Sequence, residues 1–249
     1  MPIITTDSII LQVFPYGDTS KILRLLTASH GLRSAIAKGA LRPRSRFGGV
    51  LEPFAAGVAT LVLRDGRDLH TLSGFELERS RQKLGSDLLR FAGASLIAEL
   101  VVKTGSEESQ PDLFDRVRRT LQRLQDCETA TLESAILAGV WAVVTLLGFA
   151  PELETCLDCA RELDSTEETR FDYVAGGARC SVCAAGRPGK RLPAHARSAL
   201  ARLAAGEEVP LEETAGHWHL ISMFLDHHVL EGGSLRSLSF LAQTVNPRR

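Results

Sequence analysis

Several chemistries have no foothold in this sequence. It carries no phosphate-cradling loop of the Walker type, no G-x-S-x-G elbow, no H-E-x-x-H frame and no carboxylate cluster suited to two metals. Nucleotide hydrolysis, serine-based acyl transfer and metal-assisted hydrolysis therefore lack their usual machinery. Charge of one sign is not in excess: 29 Lys and Arg stand against 30 Asp and Glu, a formal net charge of −1. Bulk attraction to nucleic acid or to an anionic membrane is excluded, and any such binding must come from a local patch. The opening MPIITTDSIILQVF lacks the basic segment of a secretory signal and starts directly with strand-like alternation, so the expected location is the cytoplasm.

Long apolar runs are also scarce. Ser134 to Pro151 (SAILAGVWAVVTLLGFAP) is uncharged and reaches the short limit for a membrane span. Glu133 and Glu152 flank it closely, no basic flank sets an orientation, and Gly139 and Gly148 interrupt it. It reads as the central buried helix of a bundle, with no membrane role.

Cysteine is sparse, with five in 249 residues, yet four of them fall in two C-x-x-C pairs: Cys156 with Cys159, and Cys180 with Cys183. In a reducing compartment such pairs are more often metal ligands than disulfides. Each short turn brings two sulfurs to one tetrahedral ion, which is the spacing of a zinc ribbon. A thioredoxin-like centre needs only one pair, at a helix start in a βαβ context that is absent here. An iron–sulfur cluster suits the paired spacing less well, and a redox switch or metal-free remnant stays as an alternative. Four thiolates leave no open coordination position, so one Zn2+ here is expected to be structural. Cys127 reads as a lone thiol.

The first eighty residues read as five strands: SIILQVFPY, TSKILRLLTAS, GLRSAIAKG, LEPFAAGVATLVLR and DLHTLSGFELE. Gly17-Asp18, His30-Gly31 and Asp65-Gly66 are turn chemistry between them. Five strands with one longer insertion near residues 39–50 fit a small closed barrel of the OB type, which often binds single-stranded nucleic acid or oligosaccharide. Charge decides between those ligands. Residues 1–50 hold seven basic residues (Lys21, Arg24, Arg33, Lys38, Arg42, Arg44 and Arg46) against two acids, Asp7 and Asp18. Pro43 biases Arg42 toward extended chain, in which Arg42, Arg44 and Arg46 would form one row with a repeat of roughly 6.6 Å. The alternative is an ordinary solvated loop. Phe47, Phe14 and Tyr16 are candidates for stacking on bases or for the core.

The segments PYGDTSKILRLLT, HGLRSAIAKGALRPRSRFGGVLEPF, SLIAELV, LLGFAPELETCLDCA and GGARCSVC resemble the RecO family of bacterial recombination mediators along nearly the whole chain. GDTS stands where many members have G-E-S-D or similar, and the acid is kept. The resemblance implies an N-terminal OB-fold, a helical domain interrupted by a zinc-binding module, binding of single- and double-stranded DNA, strand annealing, and help in loading RecA onto strands coated by single-strand-binding protein. It implies RecR and the acidic C-terminal tail of the single-strand-binding protein as partners, and a place at the nucleoid. Some members lack the four cysteines, which favours a structural metal.

The rest of the chain reads as helices on its own periodicity. Leu88 to Val101, Pro111 to Leu124, Leu132 to Gly148, Ala194 to Leu203 and Leu220 to Leu230 carry apolar stripes, while GGARC and VLEGGSLRS read as turns. The expected architecture is α+β and multidomain: an OB barrel over residues 1–80, helices over 81–151 and 191–249, and the four-cysteine ribbon inserted over 152–190. From Gly105 to Arg170 fourteen acids face six basic residues, so DNA should prefer the barrel. His217, His219, His227 and His228 cluster in sequence without metal-binding spacing, and packing or surface roles are expected for them. Among a DNA-binding mediator, a zinc hydrolase and a protein adaptor, the closed metal site disfavours the hydrolase, and the adaptor leaves the arginine row without a purpose; a non-enzymatic mediator is the expectation, with an adaptor or an annealing-only factor of weak DNA binding as the alternative.

Overall fold

A computed structural model describes residues 2–211, 213–230 and 233–245. Two compact units divide the chain, residues 1–126 and 127–249.

The first unit begins with β1 (Ile3–Tyr16), β2 (Ser20–Thr27), β3 (Gly31–Ala37), β4 (Ala56–Val62) and β5 (Leu69–Arg79), closed into a barrel of order β1-β2-β3-β5-β4. β1 is long enough to serve two neighbours: Ser8 to Tyr16 pair with β2, and Ile3 to Ile9 pair with β4. A register shift between Ile10 and Gln12 bends it where it changes partners. A parallel contact of β3 with β5 closes the ring. Alternation sends Ile10, Leu23, Leu25, Ala35, Ala37, Leu61 and Leu72 inward. The connection between β3 and β4 adds Phe47, Leu51 and Ala55 to this core, so it is rooted in the barrel rather than free of it.

Three helices complete the unit: α1 (Gln82–Ser86), α2 (Leu88–Thr104) and α3 (Pro111–Asp126). The Asp87 carboxylate caps α2 by accepting the Arg90 N–H at 2.8 Å. Leu113, Phe114, Val117, Leu121 and Leu124 form the buried face of α3. Gly31, at φ 60°, lies directly under the segment joining α2 to α3: a Cβ there would meet Glu108 O at 2.2 Å and Ser106 O at 2.5 Å. Its lack of a side chain is needed for both the turn and the approach.

The second unit is built round α4 (Leu132–Leu146), entered through a 3-10 turn at Thr129–Thr131. Thr129–Leu146 is long and apolar enough to cross a bilayer by composition, but every residue of α4 from Ser134 to Val144 is buried. α5 (Ala194–Ala204), α6 (Ala215–His228) and α7 (Arg236–Val245) are the other helices, and β6 (Thr169–Asp172), β7 (Gly177–Arg179) and β8 (Lys190–Leu192) form a sheet of order β7-β6-β8. Phe224 of α6 joins them, its ring 5.1 Å from Trp141 and 6.3 Å from Phe171. The segment read as a turn at VLEGGSLRS enters α7 at Arg236, whose apolar spacing is short; Glu231 and Gly232 lie outside the described residues.

Candidate functional site

The four paired cysteines converge. Cys156, Cys159, Cys180 and Cys183 place their sulfurs within 4.8 Å of one another, in a mix of burial in which Cys156 and Cys180 are covered and Cys159 is exposed. Local turns explain it. The Ala160 N–H donates to the Cys156 carbonyl at 2.9 Å, with Ala160 in the left-handed region at φ 56°, and the Ala184 N–H closes the second turn on the Cys180 carbonyl at 2.9 Å. The Cys180 N–H donates to Cys156 Sγ at 3.3 Å and the Cys183 N–H to Cys180 Sγ at 3.4 Å, so backbone dipoles aim at the sulfurs.

These dipoles set the thiol chemistry. Burial pushes the Cys156 thiol up, but the amides of Cys159, Cys180 and Asp158 outweigh it and bring it down to about 6. The Cys183 amide lowers Cys180, while Cys183 itself, held by the Cys180 and Cys159 sulfurs, is pushed up to about 12. Thiolates crowded this closely repel one another, and a divalent cation between them removes that conflict. Metal–sulfur arms of about 2.3 Å put tetrahedral sulfurs roughly 3.8 Å apart, so the donor set fits one closed four-thiolate ion. Cys127 is buried outside this group.

A feature that sequence reading missed braces the same module. The Arg179 guanidinium pairs with Asp158 at 2.9 Å and with Asp172, and Asp172 also accepts the Val174 and Ala175 amides. Burial pushes the Asp172 carboxyl up, and Arg179 with the two amides more than offsets this, leaving it below its usual range. The only signal available was two opposite charges flanking a glycine turn.

At the barrel, the structure brings some of the basic residues together and separates others. Lys38, Arg42, Arg44 and Arg46 are exposed on or beside the β3–β4 connection. The expected extended row does not form: the Arg42 N–H bonds to Gly39 O, Ser45 to Arg42 O and Gly48 to Ser45 O, and Arg44 turns through φ 70°. Burial of Phe47 and Leu51 holds this compaction, since their side chains reach the core from within an eighteen-residue connection, residues 38–55. Arg46 lies over the Phe47 ring at 4.9 Å. Lys21 is at the same end of the barrel, its Nζ donating to Leu51 O at 3.0 Å. Phe14 and Tyr16, at the adjoining end of β1, are 48% and 55% exposed, whereas Phe47 is core. Arg24 lies on the barrel wall, bonded to Ser34. Arg33 is four residues down β3 from Ala37 and pairs with Glu107 at 3.0 Å. Five of the seven therefore share one end with two exposed aromatic rings.

The histidines of α6 take packing or surface roles: His217 is buried and His228 half-buried, while His219 and His227 are exposed. His228 meets the Tyr173 carbonyl at 2.7 Å and the Phe224 ring at 4.5 Å, and His219 meets the Tyr173 ring edge-on. His217 is buried, and burial first, then the charge of His195, holds its pKa below the usual histidine range. It lines a cavity of about 860 Å³ with Leu192, Ala199, Leu220, Lys190 and Arg202, which no periodicity announced.

Residues 1–81 match the family described as Recombination protein O N terminal, and residues 85–239 match Recombination protein O C terminal. Among curated proteins, the DNA repair protein RecO of Anaeromyxobacter dehalogenans (strain 2CP-C) is 34% identical over 94% of this chain and 93% of its own. The DNA repair protein RecO of Myxococcus xanthus (strain DK1622) is 31% identical over 95% of this chain and 96% of its own. With a closed five-stranded barrel at its N-terminus, helices after it and a cluster of four cysteines, the chain belongs to the RecO family of DNA repair proteins.

Proposed function

We propose that this protein is a non-enzymatic recombination mediator that binds single- and double-stranded DNA through its barrel, anneals strands, and helps load RecA onto strands coated by single-strand-binding protein. The observation that carries the reading is the exposed grouping of Lys38, Arg42, Arg44 and Arg46 beside the open rings of Phe14 and Tyr16. Guanidinium and ammonium groups neutralise phosphates whatever the sequence, and rings stack on any unpaired base. Because Phe47 and Leu51 anchor the connection, its charges are presented on a fixed base and little ordering entropy is lost on binding. Of the remaining basic residues, Lys21 supports the same end, while Arg24 and Arg33 contribute field more than contact.

Residues 1–80 are the strand-binding module in this reading, 152–190 the metal module, and the helices of 81–151 and 191–249 the surfaces for partners, including RecR. One Zn2+ held by Cys156, Cys159, Cys180 and Cys183 supplies cross-linking of the module and no reaction, since its shell is closed. The cavity, whose lining includes Leu192 and Leu220 with Lys190, Arg191 and Arg202 against one acid, Glu213, suits the acidic tail of single-strand-binding protein. Arg202 pairs with the exposed Glu207 at 2.8 Å, a partner that a tail carboxylate replaces at small cost. Holding coating protein and bare strand at once raises the effective concentration of each for the other, which makes hand-over local.

The test is to mix the protein and its cognate RecR with strands coated by single-strand-binding protein, then follow RecA filament growth and, separately, annealing. Acceleration of both is expected. If neither changes while the protein is folded and metal-loaded, the mediator reading fails and an adaptor role takes its place.

A further inference from the structure

The three-stranded sheet of the second unit has one apolar face and one polar face. Register and alternation sort its residues: Phe171, Ala178 and Leu192, all buried, belong to the apolar face, and Arg170, Asp172, Gly177, Arg179 and Arg191 to the other. No apolar side chain stands among those five. Arg170 of β6 is the direct cross-strand partner of Arg179 on β7 and of Arg191 on β8. Direct partners in an antiparallel sheet stand roughly 5 Å apart at Cα with their side chains on one face, so three arginine stems form a row across the sheet. Like charges placed directly opposite one another destabilise a sheet.

Carboxylates relieve the two ends of this row and not its centre. Arg179, at the covered end, pairs with Asp158 at 2.9 Å and with Asp172. Arg191, at the open end with its side chain 72% exposed, pairs with Glu168 at 2.5 Å, an exposed pair that opens at small cost. Arg170, half-buried between them, is bonded to no carboxylate among the described residues, and its guanidinium donates to the Gly189 carbonyl at 2.9 Å. Gly189 makes room for it, since a Cβ there would meet Arg170 Cγ at 2.9 Å. A carbonyl takes one of five N–H groups and balances no charge.

A guanidinium short of an anion, beside an exposed arginine whose own pair opens readily, matches a phosphate, which accepts N–H bonds from two planar forks at once. Acidic protein segments dock through apolar anchors as well as charge, and this face offers none. It offers no ring either, so an unpaired base gains nothing here, and duplex and single strand are held alike through their phosphates. We propose that Arg170 and Arg191, on the polar face of the β7-β6-β8 sheet, hold a backbone phosphate of DNA. This site rests on the reading that the chain binds DNA and adds a contact outside the barrel. Arg179, buried and already balanced by two carboxylates, takes no phosphate. Two phosphate-binding surfaces on one chain let two strands be held at once, as annealing requires.

The experiment uses the full metal-loaded chain with labelled duplex and single-stranded oligonucleotides, followed by fluorescence anisotropy across a salt series. Arg170→Gln should flatten the log–log salt slope by roughly 0.9 on duplex and roughly 0.7 on single strands, and the double variant Arg170→Gln with Arg191→Gln by roughly 1.8 and 1.4. Arg191→Gln alone, at an exposed position that bears little on folding, should give half the double variant's effect. Zinc content should be unchanged and the thermal midpoint should stay within roughly 3 °C, because removing a like charge from the row offsets the lost bond to Gly189. Arg191 also lines the cavity that suits an acidic tail, whereas Arg170 lies outside that lining, so a poly-aspartate peptide should bind Arg170→Gln as it binds the wild type. If the wild type binds DNA and every variant matches it in slope and affinity, the site is refuted and the barrel reading stands. Weakened poly-aspartate binding by Arg170→Gln with DNA binding unchanged would give the face to an acidic protein and refute the site equally. If the wild type binds no DNA at any salt, the reading beneath it fails as well.

Discussion

Replacing Arg42, Arg44 and Arg46 together by alanine isolates what the β3–β4 connection contributes to strand binding. All three are exposed, so the change removes surface charge without opening the core; Phe47 and Leu51, which hold the connection, are untouched. Of the seven basic residues in the first fifty, Lys21, Arg24 and Arg33 are engaged with Leu51 O, Ser34 and Glu107. Lys38, Arg42, Arg44 and Arg46, the last with only a long bond to Leu72 O at 3.4 Å, are the proposed phosphate contacts of the connection. At about −0.7 per contact on a single strand, the wild-type log–log salt slope should be roughly −2.8, and the triple variant's roughly −0.7. Between about 50 and 200 mM salt this means a fall in affinity of roughly fiftyfold for the wild type and roughly threefold for the variant. Fluorescence anisotropy of a labelled oligonucleotide across that range measures both. Thermal unfolding should be the same within about 0.5 kcal/mol, because exposed charges contribute little to stability. Equal slopes for the two proteins would mean that phosphates lie elsewhere and that the connection is only solvated surface.

Elemental analysis of protein purified under reducing conditions without chelator should find one zinc per chain, and removing it should raise hydrogen exchange across 152–190 far more than in the barrel; exchange that rises equally in both would count against a local brace. Gly31→Ala should cost about 3 kcal/mol in a urea titration, since its Cβ would meet Glu108 O at 2.2 Å and the shift would break the Leu32 N–H bond to Ser106 O; a loss under about 1 kcal/mol would show that the 105–108 segment yields freely. Asp172 has a depressed pKa when folded, so its contribution is present above the unfolded value of about 3.9 and is lost as pH falls through the folded value. Asp172→Asn should therefore lower stability at pH 7 by about 3 kcal/mol and shrink the acid-side loss below pH 4, and an unchanged acid limb would assign that loss to other carboxylates.

Much of the molecule is legible in the residues themselves. Period-two alternation with Gly17-Asp18, His30-Gly31 and Asp65-Gly66 between the runs marks five strands, because a half-buried strand must alternate and a tight turn needs residues that tolerate it. The two C-x-x-C pairs mark a four-sulfur centre, since so short a spacing has few other uses in a reducing compartment. The uncharged run from Ser134 is a buried helix because its partners, such as Phe224 against Trp141, are elsewhere in the second unit and apolar. What tertiary structure alone decided are the relations between distant residues. Pro43 bears on the backbone of Arg42 alone, whereas the connection around it folds into successive turns that bury Phe47 and Leu51, an outcome set by the barrel core and by no single local preference. Arg33 looks like its basic neighbours in sequence but is drawn to Glu107, seventy-four positions away, by the packing of Gly31 under the 105–108 segment. Arg81 and Phe54 carry no local mark at all: one is an arginine after a strand, the other a phenylalanine after a proline. Only barrel closure brings that guanidinium to that carbonyl, because no sequence period reports a contact between residues 27 apart.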